Sequence, residues 1–236
     1  MSKSYQVLVV GGGAAGLATA ASLKKRDRSL EVAVVEPSDK HYYQPGWTMV
    51  GAGVFTKEDT IKDTDSIWPS DVIRIKDEVI KFDPKNNKVT LGNKTEVGYE
   101  MLVVASGLKL DWEAIEGLSE SLGENGVTSN YRYDLAPYTW ELVQEMNGKN
   151  AIFTQPPMPI KCAGAPQKAM YLSCDHWQKS GQLDEMNVSF CNAGPVLFGC
   201  ATYVPPLMKY VEKYCINLDF GHNLSRIDGP SKKAWF

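Results

Sequence analysis

An α/β fold built on parallel strands is what this 236-residue sequence predicts, on three observations. A β-branched run over residues 5–10 ends in glycines, and small apolar residues at helical spacing over 14–25 and a second run over 31–35 follow it. Gly11, Gly13 and Gly16 form GxGxxG between the first run and the helix, and Glu36 ends the second run 20 residues after the last glycine. The strand and helix alternation restarts near residue 151, with strands over 151–154 and 188–191 and helices over 166–179 and 205–214. Two Rossmann-like, three-layer halves are implied.

Each glycine of the turn has a physical role. Gly11 makes the tight reversal, Gly13 lets backbone approach a diphosphate, and Gly16 lets helix and sheet pack closely. The amides of Ala14 and Ala15 then point from the helix N-terminus at that diphosphate, where the helix dipole favours negative charge. Glu36 is placed to accept from ribose hydroxyls, and its charge disfavours a 2′-phosphate.

Between the halves the pattern changes. Runs over 79–82 and 88–91 joined by the turn former PKNN predict a hairpin, and a strand over 101–105 runs into Ser106 and Gly107. The stretch 117–126 is loop-like and acidic, which places a boundary between a first domain, 1–113, and a second, 114–236. Beyond it Asp134 is expected to cap a helix reaching residue 146, with Pro137 in the first turn. The last strands are expected over 217–220 and 233–236.

Composition narrows the function classes. A hydrophobic share of 43% and a charged share of 22% fit a globular chain, and a net charge of −3 offers no basic field for nucleic acid. The five cysteines form no CxxC pair and have no histidine at zinc-finger spacing, so no metal site is expected. No apolar run reaches the length of a membrane span, and the lead before the first strand is too short for a presequence.

The second half departs from a nucleotide-binding pattern at its first loop. After the strand over 151–154 comes QPPMPIKCAGAPQK, stiffened by prolines and carrying only Gly164 for a close backbone approach. A second nucleotide is disfavoured there. Cys162 instead stands beside Lys161 and Lys168, just ahead of a helix, a setting able to favour a thiolate, although a lone cysteine reads equally as a small buried hydrophobe. Cys174, Cys191, Cys200 and Cys215 read as core packing, and His41 as a residue that either packs or serves a catalytic role. Tyr42, Tyr43 and Trp47 read as pocket packing rather than as a separate ligand site.

The hairpin placed before a strand ending in Ala105-Ser106-Gly107 resembles the layout of two-dinucleotide-binding-domain flavoproteins, which implies FAD. The segments VVGGGAAG, VVEPSDKHYYQPGWTMVGAG, YEMLVVASG and PMPIKCAGAPQKAMYLS together resemble the eukaryotic mitochondrial type of sulfide:quinone oxidoreductase. The resemblance implies that Cys162 is one of two redox cysteines facing the flavin, that Gln44 contacts FAD, and that Val79 occupies a position whose backbone reaches the adenine end. It also implies the chemistry: sulfide opens a disulfide to leave a cysteine persulfide, two electrons pass by way of FAD to ubiquinone, and a small sulfane-sulfur acceptor removes the persulfide. Peripheral attachment to the mitochondrial inner membrane is implied in the same way. The resemblance covers the first half of the family fold, so the chain reads as apparently truncated, without a second redox cysteine or docking helices. Two other readings are an NADH-dependent flavoprotein reductase and an inactive, partial FAD- or nucleotide-binding module.

Overall fold

The computed structural model describes residues 3–236, which form two compact units. The first comprises 1–43 and 61–109, the second 44–60 and 110–236.

In the first unit β1 (Lys3–Val10), α1 (Ala14–Arg26) and β2 (Val32–Val35) make the expected βαβ start. Two short strands, β3 (Lys40–Tyr42) and β4 (Ile61–Asp63), pair antiparallel as a side ribbon. They are followed by β5 (Ile73–Ile75), the hairpin β6 (Val79–Asp83) and β7 (Lys88–Leu91), and β8 (Glu96–Val104). The sheet order is β5-β2-β1-β8-β7-β6, parallel from β5 to β8 and antiparallel across β8, β7 and β6. β8 starts five residues before the expected position because its first residues pair with β7 while the whole strand runs along β1. β5 lies in a stretch that sequence periodicity left unassigned; a three-residue strand is too short to carry a period.

Side chains alternate across this sheet. Val7, Val9, Val32 and Val34 join Ala20 of α1 on one face, while Leu8, Ala33 and Val35 join Tyr5, Val89, Leu91, Val97 and Tyr99 on the other. Both faces are therefore covered, and the near-continuous Val and Leu runs of β1 and β2 follow from that. Each fully buried Val or Leu contributes roughly 1.5–3 kcal/mol. Lys24, Lys25 and Arg26 end α1 with the charge its C-terminal dipole favours.

The second unit contains α2 (Trp47–Val50), α3 (Leu118–Ser121) and α4 (Ala136–Glu145) ahead of its sheet. The sheet is β9 (Asn150–Gln155), β10 (Asn187–Asn192) and β11 (Asn217–Phe220), all parallel in the order β11-β10-β9, linked by α5 (Gly164–Lys179) and α6 (Val204–Lys213). Met170, Cys174 and Trp177 recur at helical spacing on α5 and bury against Val188 and Phe190 of β10, with Val211 from α6. The Trp177 Nε1–H donates to the Val143 carbonyl at 2.8 Å, which satisfies the one polar atom of that indole.

Several expectations are corrected here. The segment 44–60 belongs with the second unit rather than with its sequence neighbours, because Trp47, Thr48 and Val50 are buried and α2 packs on α4 and α5. Asp134 does not cap α4; its carboxylate is taken by the Arg132 guanidinium, and Leu135 occupies the cap position without a side-chain bond. The stretch 117–126 holds the one-turn helix α3. The strand at the chain's last residues, β13 (Lys233–Trp235), pairs antiparallel with β12 (Arg226–Asp228) and does not extend the parallel sheet.

Candidate functional site

Three chain segments meet at the glycine turn. Gly11 N–H donates to the Val35 carbonyl at 2.9 Å, Ala105 N–H donates to the Val10 carbonyl at 2.8 Å, and Gly11 has a φ of +100° that an L side chain rarely adopts. A Cβ on Gly11 would stand 2.4 Å from the Ala105 carbonyl oxygen, and one on Gly16 would stand 1.8 Å from the Gly11 oxygen. These two glycines are thus required by the protein's own packing. Gly13 differs: its φ of −71° suits any residue, and a Cβ there would meet nothing within 4 Å. It fronts open space at the head of α1, where the first-turn amides, including those of Ala14 and Ala15, have no partner within the helix.

Glu36 closes the turn from the side. Its Oε2 accepts from Gly12 N–H at 2.7 Å and its Oε1 from Ser38 N–H at 2.7 Å. An ionised carboxylate has about four acceptor positions, so capacity for ribose hydroxyls is left. Gly12 is a participant that sequence reasoning passed over, although three consecutive glycines signalled it; a Cβ on Gly12 would lie 2.7 Å from the Glu36 side chain. Ser106 and Gly107 follow β8 beside Gly11, with Gly107 at a φ of +73°. Val79 packs its side chain on the Tyr5 and Leu8 face from the outer hairpin strand, three strands from β1. The open approach at Gly13, the free first-turn amides and the spare capacity of Glu36 fit a dinucleotide diphosphate with its ribose.

The second unit carries the sulfur group. Cys162 is exposed on the loop ahead of α5, and its carbonyl accepts from the Tyr131 hydroxyl at 2.7 Å and from Ala165 N–H at 3.2 Å. Lys161 Nζ lies 5.4 Å from the centre of the Trp47 ring and 5.7 Å from that of Tyr131. Burial pushes the Lys161 ammonium below its ordinary pKa, opposed by the neighbouring Cys162 sulfur. Burial, reinforced by the same sulfur, pushes the Tyr131 phenol up to about 12. Tyr131 carried no signal in the sequence, since it sits 31 residues upstream in irregular chain. Gln44, at the start of the turn leading into α2, is exposed in this unit.

The other thiols divide. Cys174 and Cys191 are buried as expected, and burial pushes the Cys174 thiol up to about 12. Cys200 and Cys215 are exposed, against the expectation of core packing, because Cys200 precedes a short helical turn and Cys215 lies past the end of α6 with a φ of +52°. The aromatic trio also separates: Trp47 is buried within the second unit, and Tyr42 and Tyr43 belong to the first. His41 is half-buried in β3.

A doubly covered parallel sheet with a glycine turn, an acid at the end of the second strand and an inserted hairpin defines a dinucleotide-binding domain. The chain belongs to the pyridine nucleotide-disulphide oxidoreductase family, whose model matches residues 5–141. It is 42% identical over 233 residues to the mitochondrial sulfide:quinone oxidoreductase of Dictyostelium discoideum, covering 98% of this chain and 52% of that protein. It is 38% identical to the protein of the same name from Mus musculus, again covering 98% and 52%. Among solved structures, the sulfide:quinone oxidoreductase of Aquifex aeolicus superposes with a TM-score of 0.76 at 22% identity, covering 96% of this chain and 53% of that one. The chain spans about half the length of the curated relatives it matches. Among the described residues no helix is long and apolar enough to cross a membrane.

Proposed function

We propose that this chain serves the FAD-dependent oxidation of hydrogen sulfide, with Cys162 carrying the sulfur as a persulfide and ubiquinone receiving the electrons. The observation that carries this reading is an exposed cysteine at the head of α5 in a chain aligned along 98% of its length with proteins named sulfide:quinone oxidoreductase. Gly11, Gly13, Ala14, Ala15, Gly16 and Glu36 would hold the FAD diphosphate and ribose, with Ser106 and Gly107 at the end of β8. Gln44 and Val79 are further FAD contacts on this reading. When bound, FAD supplies a two-electron acceptor that a quinone can reoxidise.

The residues of this chain supply the rest. The first-turn amides of α1 bind negative charge, and Glu36 accepts from ribose hydroxyls. Cys162 is a free thiol in this structure; once it is paired with a second cysteine, hydrosulfide attacks one sulfur of that disulfide, the S–S bond breaks, a new S–S bond to the hydrosulfide sulfur forms, and the displaced cysteine leaves as a thiolate holding the electron pair that ubiquinone finally receives. Ubiquinone is the terminal oxidant, and a small nucleophilic sulfane-sulfur acceptor clears the persulfide. The mitochondrial inner membrane, with peripheral attachment, is the location that suits an apolar quinone.

The test is sulfide-dependent reduction of a short-chain ubiquinone by the purified chain loaded with FAD, compared with Cys162→Ser. Loss of the reaction in the variant with flavin content unchanged is expected. Undiminished activity in Cys162→Ser would remove this sulfur from the reaction, and reduction of the bound flavin by NADH alone would point to a reductase instead.

A further inference from the structure

We propose that Trp47, Tyr131 and Lys161 position Cys162, the two aromatic faces holding the ammonium of the residue directly before it while the tyrosine hydroxyl fixes the cysteine's backbone. The inference rests on the sulfur chemistry proposed above and deepens it. All four residues belong to the second unit.

The loop before α5 is rich in proline, which contributes no amide donors, so few backbone bonds can define where Cys162 points. The structure supplies the definition from elsewhere. The Cys162 carbonyl is gripped from two directions, by the Tyr131 hydroxyl at 2.7 Å and by Ala165 N–H at 3.2 Å in the first turn of α5. Lys161 precedes the cysteine, and its ammonium lies within about 6 Å of two ring centres, the range in which a cation is held by an aromatic face. Trp47 is 6% exposed, and Tyr133 packs against it with ring centres 6.4 Å apart; Lys57 Nζ lies 5.9 Å from the Tyr133 ring. A run of ring contacts therefore leads from Lys57 through the paired rings of Tyr133 and Trp47 to Lys161 and Tyr131. A lysine on an open loop spreads its charge over many rotamers, whereas one held between two faces keeps it over those rings, on the residue directly before Cys162. The ionisable groups set against Cys162 are Lys161 of its own loop and Tyr131 from the segment before α4, while Lys168 stands in the second turn of α5 and Lys57 beyond Tyr133. None of the three proposed residues contacts the reacting atoms by this argument, so they are positioning residues.

The experiment uses the full chain with Cys200→Ser and Cys215→Ser, which silence the other two exposed thiols. The rate of Cys162 alkylation by the anion iodoacetate is compared with that by neutral iodoacetamide at one pH. Lys161→Met is expected to lower the ratio of the two rates about twofold, the scale of a solvent-screened charge pair, and Lys161→Arg to restore it, because a guanidinium also stacks on rings. Tyr131→Phe keeps the ring beneath Lys161 and removes only the hydroxyl; it leaves the ratio in place and raises both rates about threefold as the loop loosens. A ratio unchanged in Lys161→Met overturns the role of the ammonium, and unchanged rates in Tyr131→Phe overturn that of the hydroxyl. A lowered ratio in a chain that does not oxidise sulfide would uphold the positioning and sink the proposed reaction instead.

Discussion

Replacing Gly13 by alanine should separate binding from folding at the glycine turn. Its φ of −71° and ψ of −172° are open to alanine, and the new methyl would meet nothing within 4 Å. Restricting the unfolded chain stabilises by about 0.4–1 kcal/mol, and the poorer N-cap offsets that by up to about 1 kcal/mol, so the net change lies within about 1 kcal/mol. For a chain of this size that is a shift of about 2–4 °C in the Tm of the cofactor-free protein. Binding should respond differently. A methyl in the approach path displaces the diphosphate from one or two amides, each worth about 1.5–3 kcal/mol as a hydrogen bond to a charged group, which weakens FAD about tenfold to a hundredfold. The contrast is Gly16→Ala, whose Cβ would stand 1.8 Å from the Gly11 oxygen and whose cost, about 1–3 kcal/mol or more, falls on folding itself. Flavin fluorescence quenching gives the affinity and cofactor-free melts give the stability. A Gly13→Ala protein that binds FAD as tightly as the parent would remove the diphosphate from this turn. One that melts as low as Gly16→Ala would show that the opening has a structural role.

Three further outcomes are expected. Glu36→Ala strips acceptors from the Gly12 and Ser38 amides and should lower cofactor-free stability by about 1–3 kcal/mol in urea melts, with Glu36→Gln recovering part of the loss. Burial holds the Cys174 thiol at about 12 against an ordinary 9.0, so its contribution is whole below pH 9, where the thiol is neutral in both states. As pH rises from about 9 toward 12 the unfolded chain releases a proton that the folded chain keeps, so the urea midpoint should fall, and Cys174→Ala should flatten that fall. Gln167→Leu removes the buried Nε2 donor 2.7 Å from the Leu197 carbonyl and should lower the urea midpoint by the equivalent of about 1–3 kcal/mol while leaving FAD affinity unchanged.

The parts of this protein legible in its sequence are those where one local constraint dominates. Gly11 and Gly16 have backbone contacts that exclude any side chain, and the Met170, Cys174 and Trp177 series follows the period of the helix that buries it. What escaped the sequence depends on partners far along the chain. Segment 44–60 leaves its neighbours because Trp47 buries against residues more than 80 positions later, and the two aromatic faces around Lys161 come from positions 47 and 131. Cys200 and Cys215 looked like core residues by composition alone; a helix ending just before Cys215 turned it outward.

The two units share the order of three parallel strands, β5-β2-β1 and β11-β10-β9, and diverge in chemistry at matching places. In the first, β1 enters a glycine turn, and Glu36, directly after β2, offers one carboxylate oxygen to Gly12 of that turn and the other to Ser38 two residues on. In the second, β9 enters a proline-rich loop ending at Cys162, and β10 ends at Asn192. Asn192 is wholly buried: its amide donates to the Val196 carbonyl at 2.9 Å, and its oxygen accepts from Gly194 N–H at 2.8 Å and from Gln155 Nε2 at 3.3 Å. A side chain committed to three partners of its own unit has little left for a ribose, and it carries no charge. The strand end that braces the glycine turn in one sheet thus corresponds to one that braces the loop after β10 in the other. The loop after β9 carries Gly164 where the turn after β1 carries three successive glycines, and an amide ends β10 where an acid follows β2. What stands at that loop is Cys162, gripped at its carbonyl by Tyr131, with the preceding Lys161 held over two aromatic rings.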